Sequence, residues 1–585
     1  MITHRAPISG IAAHRDQYVL TAGYDNQVIL WDAKTQRPLA RAMHDHLANQ
    51  GAFSPDGAYV VTSSSDYSAR LWTVPDLRLV AVFADQEDDV EMSVFHPDKP
   101  LVATASRDHR VRVYDFGGKL LHTFSGHTAD VISVEWMRGA DEIVSSSDDG
   151  TIKRWSLANN GLVADIDLDG IETDTIAIAA DGRIFAGNDE GEIVSIGVDG
   201  ARATIAAHDA GVKRLVLDGE RGLLVSLSYD RTMRLWKAGA AGEPRALGGA
   251  ALPPEVWPRS CSFEGDEHIV FSTFHSSYRR YNWKTERWDA AELPPTHGVN
   301  AVQPVDGHLW TIGDAGIVRV DQREHARTGS LCNFLAPAGE LILTGGQLGK
   351  VFDARSGREL HQHRSPLNCG VAFARDGAAH AVIGTYTGEG IVLRIDGTRA
   401  THVADLPLHA NAVKGIAISG DLIFSVAADA SATWYRASTL EPAFELKRAH
   451  DKIANRASTL EPAFELKRAH DKIANGCAGL GDGYFASVSR DLKLRIWSPD
   501  SHAEVIATPH THSIKCVAAS ADGRYVATGS YNGRVAVYDR VETRWALDAR
   551  VTTAGVSSLA YDPAARAFLA SSYDGNVYRI PLERA

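Results

Sequence analysis

One pattern recurs along this chain at nearly constant spacing: a short β-like run, a turn containing Asp, then a second β-like run that closes on an aromatic residue. It is clearest in GYDNQVILWD, SSDYSARLW, SRDHRVRVYD, SDDGTIKRW, SYDRTMRLW and SRDLKLRIW. The closing position falls at Trp31, Trp72, Tyr114, Trp155, Ile196, Trp236 and Tyr281, with successive gaps of 41, 42, 41, 41, 40 and 45 residues. So steady a period means a repeated supersecondary unit, because each copy must fill the same space beside its neighbour. Val320, Phe352 and Ile395 continue the series in degenerate form up to Tyr435, and Trp497, Tyr538 and Ile580 complete it at gaps of 62, 41 and 42. The long gap has a visible cause: RASTLEPAFELKRAHDKIAN at 436–455 is repeated unchanged at 456–475, and removing one 20-residue copy reduces 62 to 42. One copy is expected to supply an outer strand around Phe444 and the other the His470 of the next repeat. The surplus between them is looped out, at small entropic cost.

The series makes fourteen repeats. Alternating apolar and polar residues such as Val28 and Leu30, or Val60 and Thr62, read as strands of five or six residues. Clusters such as SPDG at 54–57 and ADG at 521–523 supply turns. The class is therefore all-β, with about four strands per repeat, and radial repetition of such small sheets covers their long edges.

With its Gly-His, Ser-Pro-Asp-Gly, turn-Asp and Trp-Asp elements, the chain resembles the WD40-repeat β-propeller family along nearly its whole length. The resemblance implies a hydrogen-bonded tetrad in each blade: a His before the innermost strand, a Ser or Thr in the second, an Asp four residues on in the turn, and a Trp six beyond that. Its spacing is met by His4, Thr21, Asp25 and Trp31; by His44, Thr62, Asp66 and Trp72; and by His127, Ser145, Asp149 and Trp155. His208, Ser226, Asp230 and Trp236 repeat it, as do His470, Ser487, Asp491 and Trp497. A buried carboxylate is costly without donors around it, which makes the tetrad a structural network. Its recurrence in separate blades argues against a nucleophilic Ser-His-Asp triad. Gln86 replaces the His of the third repeat, Asn532 and Tyr538 replace Asp and Trp in the thirteenth, and Ala570 and Ile580 stand in the fourteenth. The seventh to tenth repeats largely lack the tetrad.

Known propellers have four to eight blades, so fourteen repeats imply two seven-bladed WD40 β-propellers in tandem, about fourteen four-stranded blades. The division is expected in the Pro-containing stretch at 289–298, giving a first propeller over 1–290 (blades 1–7). A more divergent second covers 291–585 (blades 8–14), with the duplication inside it. In this family the residue just before the turn Asp projects on the top face near the channel and touches partners. The matching residues are Tyr24, Arg107, Tyr229, Arg490, Tyr531 and Tyr573, with Ser65 and Asp148 between them. Tyr and Arg are enriched at binding hot spots, yet composition alone equally allows a wet channel lining.

The chemistry-bearing alternatives are weak. TGGQLGKVF at 344–352 lacks the first Gly and the Ser or Thr of a phosphate loop and reads as strand, turn, strand. DIDLDG at 165–170 starts like a calcium loop, but its twelfth place is Ile176. The run DQEDDVE at 85–91 is solvated surface or a receiver for a basic partner. HSSYRRYNWKTERW at 275–288 is a binding patch, a contact between propellers or blade packing. No carboxylate pair, metal cluster or cofactor motif stands out, so no catalytic residue, metal or cofactor is expected.

A net charge of −13 works against a nucleic-acid partner. No apolar stretch of spanning length implies a membrane. Five cysteines, Cys261, Cys332, Cys369, Cys477 and Cys516, form no paired motif and point to a reducing cytoplasm. The functional expectation is a non-enzymatic scaffold holding protein partners in a multiprotein complex; the alternative is a sensor that binds a peptide or small ligand in a channel.

Overall fold

A computed structural model describes residues 2–137, 139–238, 244–443, 465–466 and 469–582. Among these the structure is strand, turn and loop, without helix. They fall into two compact units, Met1–Thr296 and His297–Ala585. Thirteen four-stranded antiparallel sheets and one of three strands follow each other along the chain, each built from consecutive strands laid from inside to outside. Every closing residue of the sequence period, from Trp31 to Ile580, sits in the third strand of its sheet. The period therefore marks whole blades.

In the first unit the innermost strands run Ile8–His14, Ala48–Phe53, Val90–Phe95, Val131–Trp136, Thr173–Ile178, Val212–Asp218 and Val256–Glu264. Each touches the next and the last touches the first, so seven blades close a ring. The second unit does the same with Val299–Val305, Cys332–Ala338, Leu367–Arg375, Val413–Ser419, Ala474–Gly481, Ile514–Ala519 and Val556–Asp562. One blade differs from the expected four strands. The fourteenth has three among the described residues, the last being Val577–Pro581, because those residues stop at Leu582, one past it.

Burial explains the strand pattern. A blade's second strand lies between two neighbouring blades and is covered on both faces, as in Tyr18–Gly23 and Leu223–Ser228. The outer strand keeps one wet face and alternates, as in Arg37–Met43. The core thus lies between blades: Leu20, Val28 and Leu30 of the first pack on Val60 and Trp72 of the second. Val270 and Tyr278 of the seventh pack on Val19, Ile29 and Trp31 of the first, which closes that ring. Val302 against Ala560 and Leu569 closes the other. Each fully buried large side chain contributes about 1.5–3 kcal/mol.

The duplicated segment is shared between its copies. Arg436–Ala443 of the first copy turns back so that Pro442 bridges Tyr435, while Glu465–Leu466 of the second pairs with Thr433 and Ala432 as the outer strand. The strand expected around Phe444 lies outside the described residues.

Candidate functional site

Five blades carry the complete four-residue network. Trp31, Trp72, Trp155, Trp236 and Trp497 each donate the indole N–H to the hydroxyl of Thr21, Thr62, Ser145, Ser226 or Ser487 at 2.7–2.9 Å. An indole can only donate, so the hydroxyl keeps its own hydrogen for the His Nε2, 2.7–2.8 Å away. Nδ1 then carries the proton that meets the turn Asp at 2.9–3.1 Å. The same carboxylate accepts the backbone N–H after the His, as Asp149 does from Thr128 at 2.9 Å. Burial alone would raise these carboxyls. Their hydrogen bonds and His partners outweigh it, lowering Asp25, holding Asp66, Asp149 and Asp491 well below the usual range, and holding Asp230 at about 2. All five hydroxyls are fully buried, so the His-Ser-Asp sequence of bonds meets no substrate.

The departures find other partners. Gln86 donates to Thr104 Oγ1 at 3.2 Å and to the Tyr114 hydroxyl at 3.1 Å, and Asp108 pairs with Arg112 at 2.7 Å. Asn532 turns to Thr511 and His512. The eleventh blade holds a variant not singled out from the sequence: His409 Nε2 lies 2.9 Å from Ser425 Oγ, and Ser431 connects its Nδ1 to Asp429. Ser425 four before Asp429 and Tyr435 six after it were the available signal.

A second set of positions carries the chemistry and was missed in sequence. The innermost strand of thirteen blades has a β-bulge after its first residue, and bulges re-aim one side chain. In the first unit the bulged residues include Glu91, Asp174 and Lys213; in the second they are Asn300, Asn333, Asn368, Lys414, Asn475, Lys515 and Ser557. All seven of the latter line one cavity of about 230 Å³. A polar residue right after an apolar strand start, repeated at the blade period, was the signal.

The residues before the turn Asp meet this bulge ring. Arg107 pairs with Glu91 and Asp130, and Arg259 reaches Glu91 at 3.2 Å while lying 5.5 Å over the Trp257 ring. Tyr24 stands edge-on to Trp257 at 5.3 Å. Lys213 pairs with Asp174 and Asp189 and lies 5.0 Å over the Tyr229 ring. Ser65 accepts from Asn49 at 3.2 Å. Burial first, then repulsion from Asp130, Glu172 and Asp174, raises the Asp148 carboxyl well above the usual range. Burial opposes the charge of Arg107, but Glu91 and Asp130 outweigh it and hold the guanidinium charged. In the second unit Tyr531 stacks with Tyr573 at 6.5 Å, and Arg490 takes the corresponding place in its own blade.

The other motifs resolve into packing. Asp88, Asp89 and Glu91 of the acidic run are buried, so that part is not solvated surface. In the 275–288 stretch Arg279 pairs with Glu255 at 2.6 Å, Arg280 with Glu264 at 2.8 Å, and Trp288 packs on Phe271 and Tyr281. Leu341–Gly346 and Lys350–Asp353 form the strand, turn and strand of the phosphate-loop look-alike.

The family profile "WD domain, G-beta repeat" matches residues 1–32, 44–73, 77–115, 118–156, 201–237 and 503–539. Among curated relatives, the chain is 31% identical over 186 residues to "Transcription initiation factor TFIID subunit 5" of Caenorhabditis elegans, covering 31% of this chain and 29% of that one. It is 39% identical over 106 residues to "WD repeat-containing protein 37" of Mus musculus, 18% of this chain and 21% of that one. A third, "77 kDa echinoderm microtubule-associated protein" of Strongylocentrotus purpuratus, is 28% identical over 164 residues, 26% and 24% of the two chains. The matches thus span less than a third of these relatives' own lengths.

Proposed function

The chain belongs to the WD40-repeat family, and we propose that it is a non-enzymatic scaffold that holds protein partners within a multiprotein complex. Proteins of this family are generally scaffolds, and one relative is named as a subunit of a larger factor. The observation that carries the reading is the mouth of the first ring, where Tyr24, Trp257, Arg259, Arg107 and Tyr229 converge. Tyr, Trp and Arg are the residue types that dominate binding energy. The five unpaired thiols suit a reducing compartment such as the cytoplasm.

The test is co-purification from a homologous lysate with identification of partners by mass spectrometry. The wild-type chain is compared with a Tyr24→Ala, Arg107→Ala, Tyr229→Ala variant whose melting temperature is checked first. Stoichiometric protein partners lost from the folded variant are the expected result; retention of every partner overturns the top-face reading. The second unit's cavity favours the alternative of a ligand-sensing channel, which a small molecule retained in native mass spectrometry would support.

A further inference from the structure

In the first unit the residue after the bulge is the first to resume strand pairing, and it is Met92 in the third blade, Ser133 in the fourth and Arg214 in the sixth. Arg214 Nη1 donates to the Met92 sulfur at 3.7 Å, and the Ser133 hydroxyl donates to the same sulfur at 3.4 Å. The third and sixth blades are not neighbours in a ring of seven, so the Arg214 side chain crosses the channel to reach Met92. What it meets there is a thioether, a weak acceptor that carries no charge.

The cations around it are matched. Arg107 pairs with Glu91 and Asp130, Arg259 with Glu91 at 3.2 Å, and Lys213 with Asp174 and Asp189. Arg214 has no carboxylate within ion-pair distance among the described residues, and its Nε is buried without a hydrogen-bond partner among them. Burial opposes its charge most; the Cys261 thiol and the Glu135 carboxyl favour it, and Arg259 opposes it. Burial also pushes the Cys261 thiol up to about 12, so that group supplies no negative charge at neutral pH. Glu135 acts from beyond ion-pair distance.

A charge drawn out of water without a counter-ion is costly, and the fold that holds it gains when an anion arrives. Nη1 is turned to the sulfur, which leaves Nε and Nη2, the edge with which a guanidinium grips two oxygens of one oxyanion. We propose that Arg214 anchors a small-oxyanion site inside the channel of the first unit, taking one carboxylate or phosphate group on its Nε and Nη2 edge, with Arg259 as the second positive charge. The ion is small because Arg214 and Met92 together span the channel. The site is interior, and it goes beyond the reading of the mouth as a protein-binding surface.

Melting temperatures of the full chain are measured in rising sodium acetate or sodium phosphate, with ionic strength held constant by sodium chloride. For at least one oxyanion the wild type shows a rise that saturates, by about 3 °C at ten times the dissociation constant. In Arg214→Met the same rise needs about tenfold more of the anion or is lost. A tighter response to acetate assigns the carboxylate, and a tighter response to phosphate the phosphate. Should Arg214→Met fail to fold, Arg214→Gln is read in its place. Oxyanions that raise the wild type no more than chloride does, or a rise of equal size and midpoint in the folded variant, overturn the site. The partner-capture variant leaves Arg214 in place, so the two readings fail separately.

Discussion

His510 Nε2 lies 2.8 Å from Thr528 Oγ1, while its Nδ1 finds no hydrogen-bond partner among the described residues. The thirteenth blade has Asn532 where complete tetrads have Asp, so no carboxylate meets Nδ1, and burial together with Arg534 outweighs the more distant Asp548. Burial pushes His510 down to about 4, and does the same to His409.

The sign of the pH dependence follows. A histidine held neutral in the fold costs nothing above its unfolded value near 6.5. Between 6.5 and about 4 the unfolded chain binds a proton that the folded chain refuses, and stability falls by about 3 kcal/mol per histidine. The tetrad carboxylates act later: their depressed values make stability fall as pH drops from about 4 toward 2. His510→Gln should remove about half of the first loss and leave the share of His409, since the third blade already joins Gln86 to a Thr-Tyr pair and the thirteenth offers Thr528 and Tyr538. Urea midpoints of wild type and variant from pH 8 to pH 4 decide this. An equally steep fall in the variant removes His510 as the cause.

How much of this was legible depended on chemistry that repeats. Trp31 and Trp236 are rare residues at fixed spacing from an Asp, so period and blade count could be read directly. Asn333 and Lys515 follow an apolar strand start like many surface residues, and only the bulge turns them to the channel. Blades without the tetrad Trp were harder because their cores use ordinary aliphatics, as in Leu341, Leu343 and Val351. Glu91 was misleading: a charge in an acidic run reads as wet, whereas its two arginine partners come from a turn of its own blade, Arg107, and from the seventh blade, Arg259.

Adjacent serines in the fourth blade should respond oppositely to alanine. Ser145 Oγ serves both Trp155 at 2.9 Å and His127 at 2.8 Å, whereas Ser146 Oγ is buried without a hydrogen-bond partner among the described residues. Ser145→Ala strands two buried groups and should cost about 2–4 kcal/mol. Ser146→Ala removes an unsatisfied hydroxyl and should change stability by less than about 0.5 kcal/mol, or raise it. Chemical denaturation of the two variants checks the contrast; equal losses would contradict the network.

The interblade amides offer a graded test. Asn368→Ala deletes one bond to the Val413 carbonyl, and that carbonyl is left buried, so a loss of about 1–2 kcal/mol is expected. Asn475→Ala should lose a similar amount, and the pair should add because the Asn368 bond joins blades ten and eleven and the Asn475 bond joins blades twelve and thirteen. Midpoint shifts in urea measure both, and a pair no worse than either single variant would mean that the joints are not independent.

The duplication yields the last prediction. The eleventh blade uses Arg436–Ala443 from the first copy and Glu465–Leu466 from the second, whose Ala469–Asn475 leads into the twelfth. Deleting residues 444–463 joins Ala443 to Phe464 and restores a single uninterrupted RASTLEPAFELKRAHDKIAN, with every described contact of the eleventh blade kept, including the Ala430 carbonyl to the His470 N–H. A shorter connection closes at slightly lower entropic cost, so the deletion should leave stability within about 1 kcal/mol of the full chain or above it. Calorimetry of the two chains decides it. A loss of several kcal/mol would mean that residues 444–463 carry contacts the blade needs, and that the duplication has become part of the fold.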